Sequence, residues 1–194
     1  EMIELGEHKY DTWDTTSPKL LMNYRSHIAV FIMTMMLTGC YLPISGWVID
    51  AETQQPIEGA VVLVEWVETG GLPGLAFHTV YKIAETETDS KGKFSLPGAY
   101  SIFGVDRPVM VIYKQGYVAW RNMTVFPDGK LRKDYDVWQH GYRYKLERFK
   151  ENYSRSHHFF FMGGSIMGLN GKRTPKFMNA LSIERNAANQ KEKE

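Results

Sequence analysis

Short apolar or alternating segments, separated by turn-forming residues, fill the chain from residue 44 to residue 148. This pattern is rich in β-branched and aromatic residues and is typical of an all-β domain. One segment, Val109–Tyr113, is apolar throughout and indicates a central strand buried on both faces. After the first strand, Thr53–Pro56 forms a turn that reverses the direction of the chain, and Asp89–Gly92 forms a second turn. The predicted strands are Ile44–Asp50, Gly59–Val67, Phe77–Ile83, Ala84–Thr88, Lys93–Leu96, Val109–Tyr113, Tyr117–Val125 and Tyr142–Leu146.

A helix is predicted near the end of the chain. Thr174 and Pro175 have the residue types of an N-cap and a first helical position, and the helix extends from Lys176 to about Ala188. A helix of this length is marginal on its own in water, so it must dock on the β domain or on a partner. Its apolar stripe consists of Phe177, Ala180, Leu181 and Ala188.

The chain contains one cysteine, and its surroundings are informative. Arg25 precedes the apolar run Ile28–Met36, which is followed by Leu37-Thr38-Gly39-Cys40. A basic flank, a short apolar run and small residues indicate a secretory signal peptide, since a bilayer-spanning helix needs about 20 apolar residues. A plain signal peptide or a buried helix would also be consistent with the run itself.

The four residues ending at Cys40 resemble the lipobox of bacterial lipoproteins. The resemblance implies that the thiol of Cys40 receives a diacylglyceryl group, that the preceding peptide is removed, and that the new amino terminus is acylated. In such lipoproteins of Gram-negative bacteria, an Asp after the cysteine retains the protein in the inner membrane. Tyr41 occupies that position here, so the expected location is the outer membrane, facing the periplasm.

The domain organisation follows from these segments. Residues 1–21 fit no part of the plan and are interpreted as an upstream extension, and residues 22–39 as the lipoprotein signal peptide. Residues 40–43 would form the lipidated amino terminus and a short linker. Residues 44–148 would form the β domain, and residues 149–194 a basic, partly helical tail.

Residues 44–125 contain a series of spaced motif residues. These are Gly46-x-Val48-x-Asp50, Thr53, Pro56-Ile57-x-Gly59-Ala60-x-Val62, Thr86-x-Thr88-Asp89-x-x-Gly92-x-Phe94-x-Leu96 and Lys114-x-Gly116-Tyr117. In their order and spacing they resemble the carboxypeptidase regulatory-like domain. The resemblance implies a seven-stranded sandwich of the transthyretin (prealbumin) type, with Phe94 and Tyr117 in the core. The segment Glu68–Ala76 departs from the pattern, because it is longer and richer in Gly and Pro than a simple hairpin, and it is a candidate contact surface.

Charge is distributed unevenly along the chain. Residues 40–129 hold 6 basic and 10 acidic residues, whereas residues 130–194 hold 14 basic and 7 acidic residues. The basic excess could meet anionic lipid or lipopolysaccharide, or pair with the acidic β domain. The opposite charges favour docking of the tail within the same chain.

Several residues could carry chemistry, and for each a structural role is the preferred interpretation. Adjacent histidines do not chelate a metal by themselves, and Asp commonly caps turns. Ser165 lacks the strand–turn–helix context of a nucleophile elbow, and residues 126–194 contain no His-x-x-Glu zinc motif. The residues considered are His78, His140, His157 and His158 for a metal, Asp50 and Asp89 for calcium, Ser165 for catalysis, and Trp47, Trp66, Trp120 and Trp138 for sugar stacking.

The sequence therefore predicts a lipid-anchored protein of the cell envelope that acts as a non-enzymatic interaction or structural module. Cys40 is the predicted lipid attachment site, and neither a catalytic residue nor a metal or other cofactor is expected. The expected partners are the membrane and an envelope protein or glycan, not nucleic acid. The alternative is a lipoprotein that binds a carbohydrate or another small ligand.

Overall fold

The computed structural model describes residue 27 and residues 43–72, 75–99, 108–133, 141–164 and 166–191. The upstream extension, the predicted signal peptide apart from His27, and Cys40 lie outside the described residues. The described chain is mostly β-structure with a helix near its end, as the sequence predicts, and a shorter helix that was not predicted precedes it. Its elements are β1 (Ile44–Asp50), β2 (Val61–Gly70), β3 (Phe77–Glu87), β4 (Lys93–Leu96), β5 (Val109–Tyr113), β6 (Trp120–Arg121), β7 (Thr124–Val125), β8 (Lys130–Leu131), β9 (Tyr142–Leu146), α1 (Arg155–Gly163) and α2 (Pro175–Lys191).

The strands form two larger sheets and one small ribbon. One sheet has the order β4-β1-β9, the other has the order β3-β2-β5-β6, and β7 pairs with β8. The turn after β1 carries the chain into the second sheet, so the returning segment does not pair with the strand it follows. Tyr117–Val125, predicted as one strand, contributes only the two-residue strands β6 and β7. β9 runs parallel to β1, a pairing that local sequence does not reveal.

Side chains from both sheets share one hydrophobic core. Phe94 of β4 is 3% exposed and lies 5.5 Å, between ring centroids, from Tyr144 of β9. Trp120 of β6 packs edge-on against the same tyrosine at 4.9 Å. Val62, Val64 and Ile112 line the core from the four-stranded sheet. The predicted burial of Phe94 is therefore confirmed.

Tyr117, which was expected in this core, is only half-buried. Its ring packs at the edge of the core while its hydroxyl donates to Oδ2 of Asp50 at 2.9 Å. A phenol that can reach a carboxylate at the rim keeps its polar end out of the apolar interior. The prediction of full burial is wrong for this residue.

Gly46 permits the close approach of β9 to β1. A Cβ at this position would lie 2.6 Å from Cε2 of Tyr144 and would also clash with the carbonyl oxygen of Tyr142. Any larger residue would separate the two parallel strands. A glycine inside a strand is typical of such a close approach between backbones.

The opposite face of the four-stranded sheet is covered by the tail. Val111 points to this face and is fully buried, together with Leu63. Phe177, on the predicted stripe of α2, is also fully buried there. The tail helix therefore docks within the chain through its apolar face.

Carboxylates of the sheet bind backbone amides of the tail. Glu85 of β3 accepts the N–H groups of Lys176 and Phe177, both at 2.9 Å. Glu65 of β2 is fully buried and accepts the N–H groups of Met167 at 3.1 Å and Gly168 at 2.7 Å. Carboxylates of the acidic β domain thus hold the tail partly through hydrogen bonds to the main chain of the tail.

Thr174 stands at the start of α2, and its carbonyl oxygen accepts the N–H of Met178 at 2.9 Å. Its hydroxyl, however, donates to the carbonyl oxygen of Asn170 at 2.9 Å. Glu85, distant in sequence, supplies the side-chain cap instead. A carboxylate also complements the positive end of the helix dipole.

Replacing Glu85 by alanine is expected to destabilise the fold by about 0.5–2 kcal/mol, the range for loss of a helix cap. Amide exchange should accelerate at the start of α2, which hydrogen-exchange mass spectrometry can measure. Glu87→Ala is the matched control, because Glu87 forms an exposed ion pair with Lys176 Nζ at 3.0 Å, and such pairs contribute about 0–1 kcal/mol. Equal effects of the two substitutions would contradict the capping role.

Candidate functional site

The predicted lipid attachment site, Cys40, lies outside the described residues, and the continuous description of the domain begins at Pro43. From there the chain enters β1 at once, so only a short segment separates the cysteine from the folded domain. Neither α1 nor α2 combines the length and the hydropathy needed to cross a membrane.

A buried polar cluster joins the tail to the four-stranded sheet; we call its four members, His158, Glu184, Tyr113 and Arg155, the His158 cluster. His158 of α1 is fully buried, and Glu184 of α2 is 1% exposed. Nδ1 of His158 lies 3.0 Å from Oε1 of Glu184, while the Tyr113 hydroxyl of β5 donates to Oε2 at 2.9 Å. Arg155 donates to both carboxylate oxygens at 3.2 Å.

The geometry fixes the tautomer of His158. Nε2 accepts the backbone N–H of Ala119 at 2.8 Å, so this nitrogen carries no proton. Nδ1 then carries the proton and donates a hydrogen bond to Oε1 of Glu184. Both ring nitrogens and both carboxylate oxygens are therefore used in bonds that join α1, α2, β5 and the segment before β6. This arrangement is a structural link between elements.

The same contacts determine the protonation of the cluster. Burial raises the pKa of Glu184, but hydrogen bonds from His158 and Tyr113 and the charge of Arg155 outweigh it, and the pKa lies below its usual value. Burial, and then the neighbouring Glu184 carboxylate, raise the pKa of the Tyr113 hydroxyl above its usual range. Glu184 is thus a buried carboxylate that is fully hydrogen-bonded and paired.

Sequence reasoning missed this cluster, although one signal was present. Glu184 falls on the same helical face as Phe177, Ala180, Leu181 and Ala188, at a spacing of seven, four, three and four residues. A carboxylate inside an apolar stripe requires a buried partner. The sequence does not show which of the basic residues provides it.

Asp50, considered for calcium, caps the turn that follows β1. Its Oδ1 accepts the N–H groups of Glu52 at 2.9 Å and Thr53 at 3.0 Å. Its Oδ2 receives the Tyr117 hydroxyl and pairs with Arg148 Nη2 at 2.9 Å. The pKa of Asp50 is lowered to about 2, above all by the hydrogen bond from the N–H of Thr53. The Glu52 N–H, the Tyr117 hydroxyl and the charge of Arg148 lower it further, whereas burial raises it.

This lowered pKa predicts a contribution to stability that depends on pH. Asp50 ordinarily titrates at 3.8 and in the folded chain at about 2, so the unfolded chain binds more protons between these values. The stabilisation is fully present above about pH 4 and is lost as the pH falls through about 2. Asp50→Asn removes this titration, and its melting temperature should fall less than that of the wild type between pH 4 and pH 2. Parallel curves for the two proteins would contradict the assignment.

The other candidate metal ligands have local roles or fall outside the described residues. Asp89 Oδ1 accepts the N–H groups of Lys91 at 2.9 Å and Lys93 at 2.8 Å, which closes the predicted turn. His78 is exposed and lies 2.8 Å, through Nδ1, from the Thr69 hydroxyl. Within the described ranges, His, Cys, Asp and Glu side chains form no group of three that could hold a metal. His140, Ser165 and Trp138 lie outside the described residues.

The tryptophans do not form a sugar-stacking platform among the described residues. Trp66 is fully buried and Trp120 is 6% exposed, both in the core between the sheets. Trp47 is half-buried, with the Lys93 ammonium 5.9 Å from its ring centroid. The exposed aromatic face needed for carbohydrate stacking is therefore not built by these three residues.

A cleft of about 180 Å³ lies between α2 and the ends of β2 and β5. Val61 and Ala180 give it an apolar floor, and Lys114, Gln115 and Asn179 bring polar groups to its rim. Its volume corresponds to about six water molecules at roughly 30 Å³ each. The cleft could hold only a small ligand.

The described residues therefore provide a β domain, a docked tail and a small cleft beside α2, while the lipid attachment site is a prediction from the sequence. The strongest polar contacts in these residues join elements of the fold. Comparison of the chain with family models, with curated proteins and with solved structures found no match.

Proposed function

We propose that this protein is a lipid-anchored, non-enzymatic module of the bacterial cell envelope. The observation that carries the proposal is the Leu37–Cys40 box after its apolar run, followed only four residues later by the first strand of the folded domain. An anchor at Cys40 would attach the domain directly to a membrane surface.

The arrangement of the strands supports a transthyretin-like sandwich. A three-stranded and a four-stranded sheet place residues such as Val48 and Val64 in a common core. Three motif residues have roles that fit the resemblance, since Phe94 is buried in the core, Gly46 allows a close strand contact and Asp89 closes a turn. The proposed domain is the one expected from the resemblance to the carboxypeptidase regulatory-like domain, extended by a helical tail.

The use of the polar side chains supports an interaction or structural role. His158 and Glu184 bond to each other and to three further groups inside the chain. Asp50 is similarly occupied by a turn, a tyrosine and an arginine. These residues stabilise a surface that can be presented to an envelope protein or glycan.

Replacing Cys40 by serine tests the anchor. The expected result is complete loss of acylation and of signal-peptide removal, because the thiol is the acceptor of the lipid and serine offers a poorer nucleophile. Intact-mass spectrometry of membrane-extracted protein measures both effects. Thr38→Ser, a conservative change within the same box, should be processed normally. A Cys40→Ser protein that is matured and membrane-bound like the wild type would refute the proposal.

Membrane fractionation of the wild-type protein tests the location. Tyr41 in place of Asp predicts co-fractionation with outer-membrane markers in a Gram-negative host. Recovery only with inner-membrane markers would overturn this part of the proposal and leave the anchor intact.

The cleft beside α2 favours a second candidate function, the binding of a small ligand. Lys114 Nζ makes one hydrogen bond of 3.5 Å, to the carbonyl oxygen of Gly59, and keeps further donors for a ligand. A small carboxylate or sugar bound there should raise the melting temperature of the wild type and not that of Lys114→Ala.

A further inference from the structure

The β2–β3 hairpin presents large apolar side chains to solvent. Leu72 is 71% exposed, Leu75 is 75% exposed and Phe77 is 59% exposed. Tyr81, further along β3, is 43% exposed. Burial of apolar surface is favourable at about 25 cal/mol per Å², so such a concentration on one hairpin indicates a surface that is covered in use.

The same hairpin lacks charge. The thirteen residues from Thr69 to Tyr81 include no Asp, Glu, Lys or Arg, although charged residues are frequent in the rest of the chain. Glu68 and Lys82 flank the stretch. A hairpin without charge can leave water at little electrostatic cost, whereas a charged one cannot.

The hairpin projects from the end of the domain where β1 begins. Ile44, the first residue of β1, pairs with Leu96 of β4. Lys82 of β3 donates from Nζ to the carbonyl oxygen of Gly98, two residues beyond that pair, and its register partner is Trp66. Along the strand direction, Trp66 therefore lies near the start of β1, to within the length of one lysine side chain.

Beyond that level, β2 continues to Gly70, which pairs with Phe77. Four further strand residues at about 3.3 Å each project the hairpin about 13 Å past Ile44, where β1 starts. Three residues separate Cys40 from Ile44, so the two Cα atoms are four residue steps apart and at most about 14 Å from each other in a fully extended chain. The reach of the chain from Ile44 to the predicted lipid attachment site is therefore similar to the distance by which the apolar hairpin projects past Ile44.

We propose that the exposed apolar residues Leu72, Leu75 and Phe77 insert into the lipid surface to which Cys40 attaches the protein. This inference rests on the proposed lipid anchor. The anchor supplies the attachment, and the hairpin supplies a second contact that fixes the orientation of the domain on the bilayer.

The features of the hairpin favour lipid over a protein as the occupant. The tether is short enough to keep the hairpin within reach of the membrane surface whenever Cys40 is acylated. Tyr81 lies on the domain side of the leucines, where an amphipathic ring suits the headgroup region. Met167, 55% exposed, adds apolar surface near the base of the hairpin, because Gly168 packs against Val80 of β3.

Site-specific photocrosslinking in native membranes tests the proposal with the full chain. A benzophenone amino acid replaces Leu75, and Gln55, an exposed residue in the turn at the other end of β1, is the matched control position. Irradiation should give a phospholipid adduct at position 75, seen as a mass shift of the tryptic peptide, and no lipid adduct at position 55.

A second variant tests the apolar character of the contact. With the probe at Phe77, the double substitution Leu72→Asp and Leu75→Asp should abolish the lipid adduct. The double substitution Gln54→Asp and Gln55→Asp adds the same charge elsewhere and should leave it unchanged. Both pairs of residues are exposed, so the fold is expected to tolerate these changes.

The outcomes separate this inference from the proposed anchor. A protein adduct in place of lipid at position 75, or equal lipid adducts at positions 75 and 55, overturns the insertion. Absence of any adduct at position 75 overturns it as well, even if mass spectrometry finds Cys40 acylated. An unmodified Cys40 refutes the anchor. In that case, the presence or absence of the lipid adduct at position 75 still shows whether the hairpin inserts into the membrane.

Discussion

Replacing Glu184 by alanine is expected to destabilise the folded chain by about 2–6 kcal/mol, because it leaves two buried hydrogen-bonding groups unsatisfied at about 1–3 kcal/mol each. The substitution leaves the buried His158 and Tyr113, and the half-buried Arg155, without their common partner. Thermal or urea unfolding, followed by circular dichroism, measures the loss. It should be among the largest effects of any single substitution in the tail.

The matched control is Asn186→Ala, an exposed position two residues further along the same helix. It should change the stability little, since surface substitutions usually fall within about 0.5 kcal/mol. A milder change, Tyr113→Phe, removes one hydrogen bond to the carboxylate and should cost about 1.5–3 kcal/mol. If Glu184→Ala were no more destabilising than Asn186→Ala, α2 would not be held by this cluster.

Phe94→Ala is expected to cost about 3–5 kcal/mol, as large-to-small changes of a buried phenylalanine do. Phe94 contacts Tyr144 in the core between the sheets and has almost no exposed surface. The loss is a large share of the roughly 5–15 kcal/mol that stabilises an ordinary domain. A marked fall in the melting temperature should follow.

Ser95→Ala provides the control for this second change. Ser95 is the neighbour of Phe94 in β4 and is exposed, because successive strand residues face opposite ways. Its replacement should leave the melting temperature nearly unchanged. Similar melting temperatures for Phe94→Ala and the wild type would mean that the register of β4 is misassigned.

Elements whose pattern is local were predicted well from the sequence. β1, β4, β5 and β9 have the predicted bounds, because alternation or a continuous apolar run identifies a strand without reference to its partner. The stripe of α2 similarly identified its docking face. The segment Phe77–Thr88, predicted as two strands, is one long strand that ends at Glu87.

Features that depend on distant residues were not predicted. The strand β2 continues to Gly70, further than its local pattern indicated, because β3 pairs with it as far as Phe77. The connection between them is therefore shorter than the predicted Glu68–Ala76 loop. α1 was missed, although Ser154 caps it by accepting the N–H of His157 at 3.2 Å. Its aromatic residues have low intrinsic helix propensity, and packing on the sheet outweighs that.

The candidate sites divide in the same way. The motif at Cys40 is contiguous and can be interpreted from a few residues. The His158 cluster joins three elements that are as far apart as residues 113 and 184, and only the assembled fold brings them together. The exposed hairpin was predictable only in part. The sequence shows that it lacks charge, but only the fold shows that it projects from the end of the domain where β1 starts.

The parallel pairing of β1 with β9 has a consequence for how the chain folds. Gly46 of β1 pairs with Phe94 of β4 on one side and with Tyr142 of β9 on the other. The first strand of the domain to be synthesised therefore acquires its second neighbour only when the last strand is available. Contacts so distant in sequence require large loops to close, and they slow folding. The three-stranded sheet therefore cannot be completed before the chain has been synthesised as far as β9.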